Sequence, residues 1–144
     1  MVSIDDRVVQ TLDMIEVLES MTSRNDPYLP IASRVACLSE SQALRVFKIG
    51  TGMTMITYLR NRIASRCAEL LVTTNYSMKF LSDMLDYRHQ TSMGRCFKYV
   101  YGITPLEFRK TQTEKTLGEF TLGGITAEDL FVAFEKAGYK EVEE

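Results

Sequence analysis

The chain of 144 residues is poor in the side chains from which enzymes and metal sites are built. It holds one histidine, His89, and three scattered cysteines, Cys37, Cys67 and Cys96. There is no Cys-x-x-Cys pair and no glycine loop of the spacing that cradles phosphates, so no enzyme, metal or cofactor is expected. An odd number of dispersed cysteines argues against a disulfide framework and for reduced thiols in a cytoplasmic protein. No apolar run approaches the about 18 residues of a membrane span. The start, Met1 to Asp6, lacks the basic stretch and apolar block of a secretory leader. The paired acids Asp5-Asp6 and Glu143-Glu144 read as solvated.

Positive charge is also short when the chain is taken whole, with a net −2. Its distribution changes that reading. Residues 1–111 carry 14 Lys and Arg against 11 acids, whereas residues 112–144 carry 3 against 8. The acidity belongs to a tail, and a mildly basic body remains, with modest non-specific affinity for phosphates expected.

What the chain does have is an internal repeat. Arg45, Phe47, Lys48, Gly52, Thr54 and Tyr58 recur fifty positions later as Arg95, Phe97, Lys98, Gly102, Thr104 and Phe108. Six matches at one offset make a tandem of like units. Upstream the offset drops to 49, with Leu38-Ser39 facing Tyr87-Arg88. Each unit offers a short helix, a tight turn and a second helix with Arg and Lys beside an inward Phe. That is the outline of a helix-turn-helix.

Helix signals run along the chain. Ser3 and Asp6 have capping-box spacing ahead of Val8, Leu12, Ile15 and Glu19 on one face, with Val9 and Leu18 widening the stripe. This first helix packs rather than reads. Pro30 suits the first position of a second helix, to about Cys37. Ser39 caps a third, which stops near Gly50 and Gly52. Thr54 opens a long fourth helix to about Val72-Thr73, a strut of about 27 Å. Ser77 caps a fifth to about Leu85, a sixth runs from about His89 to Tyr101, and Thr104-Pro105 opens a seventh. Thr126 and Asp129 form another capping box in the tail, before Leu130, Phe131, Phe134 and Ala137, with Gly138 as the stop. The plain expectation is that this tail helix docks on the protein's own core. A helix for another protein and an acidic flap competing with DNA are the alternatives. Of the eight methionines, Met53, Met55, Met78, Met84 and Met93 are expected to fill the core.

Residues 28–110 resemble the DNA-binding domain of AraC/XylS-family transcription regulators. The resemblance rests on Ser77-Met78, Leu81-Ser82, Asp86-Tyr87, Met93, Arg95, Phe97-Lys98, Gly102, Thr104-Pro105 and Phe108-Arg109, in matching order and spacing. The segment Tyr58 to Arg62 is similar to the small stand-alone group typified by MarA, SoxS and Rob. The resemblance implies an all-α fold of two helix-turn-helix subdomains, homeodomain-like three-helix units, joined by a long linker helix. The expected division is 1–54, linker 55–73, 74–111, and an acidic tail 112–144. The family usually has Gly where this chain has Cys37 and Asp86. If those positions need positive φ, Asp is tolerated better than Cys and both cost something relative to Gly, so the resemblance leaves the turn geometry open.

With Phe47 and Val46 inward, the outer-face candidates of the first unit are Ser41, Gln42, Leu44 and Arg45, of which the alignment puts Ser41, Leu44 and Arg45 at base-facing positions. Gln90, Thr91, Gly94 and Arg95 occupy the matching positions of the second unit. Arg suits guanine and Gln suits adenine, Leu44 reaches only a thymine methyl, and Gly94 allows close approach. A salt bridge between helices is the competing role for Arg45 or Arg95. Phosphate candidates are Ser39, Lys48, Thr54, Arg60, Arg62, His89, Lys98 and Thr104. The implied partners are double-stranded DNA, bound as a monomer, and RNA polymerase, with transcriptional activation the expected outcome and no small-molecule effector or membrane. The rival is a degenerate module that binds another regulator or polymerase without reading DNA.

Overall fold

The computed structural model describes residues 2–23, 25–111 and 125–140. Among them every regular element is a helix: α1 (Ile4–Ser20), α2 (Tyr28–Val35), α3 (Glu40–Thr51), α4 (Met55–Thr73), α5 (Met78–Met84), α6 (Gln90–Tyr101), α7 (Pro105–Thr111) and α8 (Ala127–Lys136). The chain divides into two compact units. Unit one takes the described parts of residues 1–21, 26–59 and 124–144; unit two takes those of 22–25 and 60–123. The first turn of α4 thus belongs to unit one and the remainder to unit two.

Local chemistry sets the boundaries. The Asp6 amide donates to Ser3 Oγ (3.1 Å) while Asp6 Oδ2 accepts from the Ser3 amide (3.3 Å), closing the box that starts α1. Ser39 and Gln42 make the same box for α3, and Thr126 and Asp129 for α8. Ser77 Oγ caps α5 by accepting from Phe80 N. At the other ends, α3 and α6 stop at Gly52 and Gly102, with φ of 77° and 81°. These positions need the left-handed region, which glycine enters without a Cβ clash. Gly138 does the same just past α8, whose last cap residue is Ala137.

The second helix begins two residues before the expected Pro30, on Pro27 as cap. Pro30 therefore occupies the third helical position, where its missing N–H still costs no intrahelical bond. The helix ends at Val35 rather than near Cys37, because Cys37 has already turned to φ 58°.

Unit one has a core of Ile4, Val8, Met14, Ile15, Leu18, Ala32, Ala36, Ala43, Val46, Phe47, Met55, Tyr58, Leu130 and Phe134. The α1 stripe is rotated from its expected centre. Val9 is 56% exposed, while Arg7 and Thr11 are buried. The Arg7 cost is met in part: Nη1 donates to Gln10 Oε1 at 2.9 Å, and the guanidinium sits 5.7 Å from the Tyr139 ring centroid. The face chosen is the one that other helices cover, and a sequence stripe alone does not say which that is. The tail helix docks on the protein's own core, as the plain reading expects: Leu130 and Phe134 are fully buried against α1 and α3.

Unit two buries Ile63, Ala64, Cys67, Ala68 and Leu71 along α4, with Leu81, Leu85, Tyr87, Met93, Phe97 and Phe108 from the later helices. Burial pushes the Cys67 thiol up to about 12, with the Arg109 charge partly offsetting it, so this cysteine stays protonated and inert. Burial likewise raises the Tyr101 hydroxyl, against a hydrogen bond with Ser65. Of the methionines, Met55 and Met93 are core as expected, but Met84 is 39% exposed at the outer face of α5.

Candidate nucleic-acid interface

The sequence repeat reappears as a repeat of atoms. In unit one the Cys37 amide donates to the Arg34 carbonyl (3.1 Å) and the Leu38 amide to the Ser33 carbonyl (2.9 Å). In unit two the Asp86 amide donates to Asp83 (3.1 Å) and the Tyr87 amide to Ser82 (2.8 Å). This paired 5→2 and 6→1 pattern is a Schellman turn. It requires a left-handed residue, and Cys37 (φ 58°) and Asp86 (φ 61°) supply it without glycine. The buried hydroxyls of Ser33 and Ser82 donate back to Pro30 O (3.0 Å) and Lys79 O (2.8 Å). These turns set α3 and α6 each against the helix before it.

Behind the helices, edge-to-face aromatic pairs fix the depth of each. Phe47 meets Tyr58 at 5.6 Å and 84°, and Phe97 meets Phe108 at 5.2 Å and 77°. With Phe47 and Phe97 anchored inward, the opposite faces of α3 and α6 turn to solvent.

The base-facing candidates lie on those faces. Ser41, Gln42, Leu44 and Arg45 are exposed on α3, as are Gln90, Thr91 and Arg95 on α6, with Gly94 half-buried. Gln42 is already engaged, since its Oε1 accepts from Ser39 N (3.3 Å) and Ser39 Oγ (3.2 Å). That makes it a cap first. For Arg45 and Arg95, no hydrogen bond or ion pair occurs among the described residues, which disfavours the helix-to-helix salt bridge. Gln90 and Gly94 border a shallow cleft with Met78, Met93, Thr104, Pro105 and Leu106. A Cβ on Gly94 would meet nothing within 4 Å, so its missing side chain reflects no packing demand.

The phosphate candidates divide by environment. Lys48, Arg60, Lys98, His89 and Ser39 are exposed, whereas Thr54, Arg62 and Thr104 are half-buried. Thr54 Oγ1 accepts from the Thr57 amide (3.3 Å) and Thr104 Oγ1 from the Glu107 amide (3.2 Å), so both cap the helices they precede. His89 stands at the cap position of α6 but makes no side-chain cap bond.

Arg109, which the sequence offers only as a residue of the family motif, has a structural part in the site. Arg109 Nε donates to Leu71 O (3.0 Å), Nη1 to Tyr76 O (2.5 Å) and Nη2 to Thr74 O (3.4 Å). It satisfies carbonyls where α4 ends and the chain leads into α5, fixing the approach to the second helix-turn-helix. Its one signal in sequence is its place after Phe108 in the repeat motif, where unit one has Leu59 instead.

A family model described as a helix-turn-helix domain matches residues 32–111. The F1 operon positive regulatory protein of Yersinia pestis is 41% identical over 63 residues, covering 44% of this chain and 21% of that protein. The transposon Tn10 TetD protein of Escherichia coli is 31% identical over 68 residues, 47% of this chain and 49% of that protein. The multiple antibiotic resistance protein MarA of Escherichia coli K12 is 27% identical over 70 residues, 49% of this chain and 55% of that protein. The matches thus span from about a fifth to about half the length of these relatives. Among solved structures, the C-terminal domain of AraT, a response regulator of Geobacillus stearothermophilus, aligns with a TM-score of 0.62 at 20% identity, covering 74% of this chain and 86% of that one. The DNA-binding domain of the transcriptional factor AdpA, solved with a target DNA, aligns with a TM-score of 0.58 at 22% identity, covering 68% and 90%. The family match covers more than half of the chain, which belongs to the AraC-type helix-turn-helix family of DNA-binding transcription regulators, not enzymes.

Proposed function

We propose that the protein regulates transcription by reading DNA sequence with both α3 and α6, as an activator that binds an asymmetric site as a monomer and contacts RNA polymerase. The observation that carries this reading is the pair of recognition faces. Ser41 and Arg45 on α3, and Gln90, Thr91 and Arg95 on α6, are exposed at corresponding depths on helices of equal length. An exposed guanidinium takes guanine O6 and N7 bidentately, and Gln90 takes adenine, each worth about 1–3 kcal/mol of discrimination. Lys48 and Lys98, one turn further on, suit phosphates. The linker α4 has 19 residues, about 28 Å at 1.5 Å each, against a duplex turn of about 34 Å. Cytoplasmic residence follows from this role.

Selection of bound sequences from a random DNA pool tests it. Arg95→Ala should erase preference at one position, whereas Lys98→Ala should weaken all sequences alike and flatten the salt dependence. A chain that enriches no sequence would refute the reading.

A second reading has one observation of its own. Leu44, 41% exposed, occupies a base-facing position with no hydrogen-bonding group. It favours a first unit that reads few bases, or a module that binds another regulator or polymerase. Retained partner binding together with no sequence enrichment would select this alternative.

A further inference from the structure

The recognition helix of unit one has two buried sides, where that of unit two has one. Ala43 and Phe47, like Met93 and Phe97, face the helix-turn-helix core. Val46 and Gly50 form a second buried row four residues apart, but their counterparts Cys96 and Val100 are only half-buried. The extra row is covered by α8. A Cβ on Gly50 would lie 2.9 Å from Cε2 and Cζ of Phe134 and 3.2 Å from Cδ2 of Leu130. Those two side chains are the buried ones of α8. Phe134 then meets Tyr139 edge-on (5.5 Å, 85°), the Tyr139 ring lies by Arg7, and the Lys140 carbonyl accepts from the Ile4 amide at 3.1 Å. So α8 and the residues after it tie the last turn of α3 to the first turns of α1. The family match ends at residue 111 and supplies none of this.

We infer that α8 is a positioning element for the first DNA-reading helix, with Leu130 and Phe134 seated on Gly50 to hold α3 at its working angle. This rests on the DNA-reading proposal above. Only glycine leaves room for the Phe134 ring at that depth, since any Cβ there falls inside the contact distance. The competing role, an acidic flap over the DNA face, fits the geometry poorly. With α8 docked, Ser41, Leu44, Arg45 and Lys48 all remain exposed, because α8 sits on the Val46–Gly50 side.

The test uses the full-length chain, Phe134→Ala, and a chain lacking residues 125–144, each on DNA selected by the unaltered protein. Arg45→Ala and Arg95→Ala mark which base positions each unit reads. Phe134→Ala and the deletion should lower affinity about 10- to 100-fold, the equivalent of one lost bidentate base contact. They should erase preference at the Arg45-dependent positions and keep it at the Arg95-dependent ones. Hydrogen exchange should quicken in residues 46–51 and stay unchanged in α6. Unchanged affinity and preference would overturn the inference, and tighter binding would overturn it in favour of the flap. If either variant unfolds unit one, a synthetic peptide of residues 125–140 added to the deleted chain should restore the Arg45-dependent preference; failure to restore it also overturns the inference. Absence of any selected sequence for the unaltered chain would sink the DNA reading itself, and this inference with it.

Discussion

The two helix-turn-helix units share a plan almost atom for atom, yet they are stabilised differently. Both have a left-handed turn residue, a 12-residue second helix closed by glycine, and an edge-to-face aromatic pair behind it. Unit one adds α1 and α8 around that plan. Unit two adds the Arg109 clamp on the end of α4 and the Phe97–Tyr101–Phe108 aromatic cluster. The repeat encodes how the second helix of each unit is presented to solvent, while each unit finds its own way to bury the other side. At Val46 and Gly50 the solution is a helix from far along the chain, whereas at Cys96 and Val100 the same side stays half-open.

The largest expected break is Phe134→Ala. Removing a fully buried ring should cost about 3–5 kcal/mol in unit one alone, leaving unit two at its original midpoint in chemical denaturation followed by hydrogen exchange. Equal loss in both units would erase the distinction drawn here. Arg109→Ala is the converse. Three carbonyls lose a charged donor, so unit two should lose about 1–3 kcal/mol while unit one is untouched; unchanged exchange in α4 and α5 would show the clamp to be idle.

The turns sharpen the likeness. Cys37→Gly and Asp86→Gly should each stabilise by up to about 1 kcal/mol, because a left-handed Cβ clash is relieved. Cys37→Gly should gain more, since Asp tolerates that region better than Cys. A reversed order in thermal denaturation would mean that the two turns are strained for different reasons.

The smallest effect is a pH dependence confined to unit one. The Thr126 amide and hydroxyl hold the Asp129 carboxyl below its usual range. A depressed folded value gives stability that is present above the unfolded value, about 3.9, and lost as pH falls through the folded one. Acidification should therefore loosen α8 slightly, and Thr126→Ala, which keeps the backbone amide, should remove only the hydroxyl's share of that pH response. An unchanged acid titration of α8 exchange in Thr126→Ala would discount the capping box.

Much of this was readable before any coordinates. Ser3, Ser39, Ser77 and Thr126 announce helix starts, and Gly52 and Gly102 announce stops, because caps depend on chemistry within about one turn of helix. Cys37 and Asp86 stand where the family pattern has glycine, which marks both as turn positions, but only the folded backbone shows that each takes a positive φ. The exposed positions of Arg45, Gln90 and Arg95 followed from their spacing to Phe47 and Phe97. Less local facts were hidden. Nothing in the α1 stripe revealed that Arg7 is buried and Val9 exposed, nor that Met84 faces outward. Arg109 looked like one more motif residue until its three carbonyl partners, 33 to 38 positions away, came together around it.

The repeat, the helix starts and stops and the side chains on the exposed faces of α3 and α6 are written locally along the chain, since they rest on interactions a few residues apart. That α8 seats Phe134 on Gly50 and that Arg109 closes α4 was settled by folding alone. Both are contacts between distant segments, and burial chooses among many apolar or charged candidates by shape, which no local pattern records.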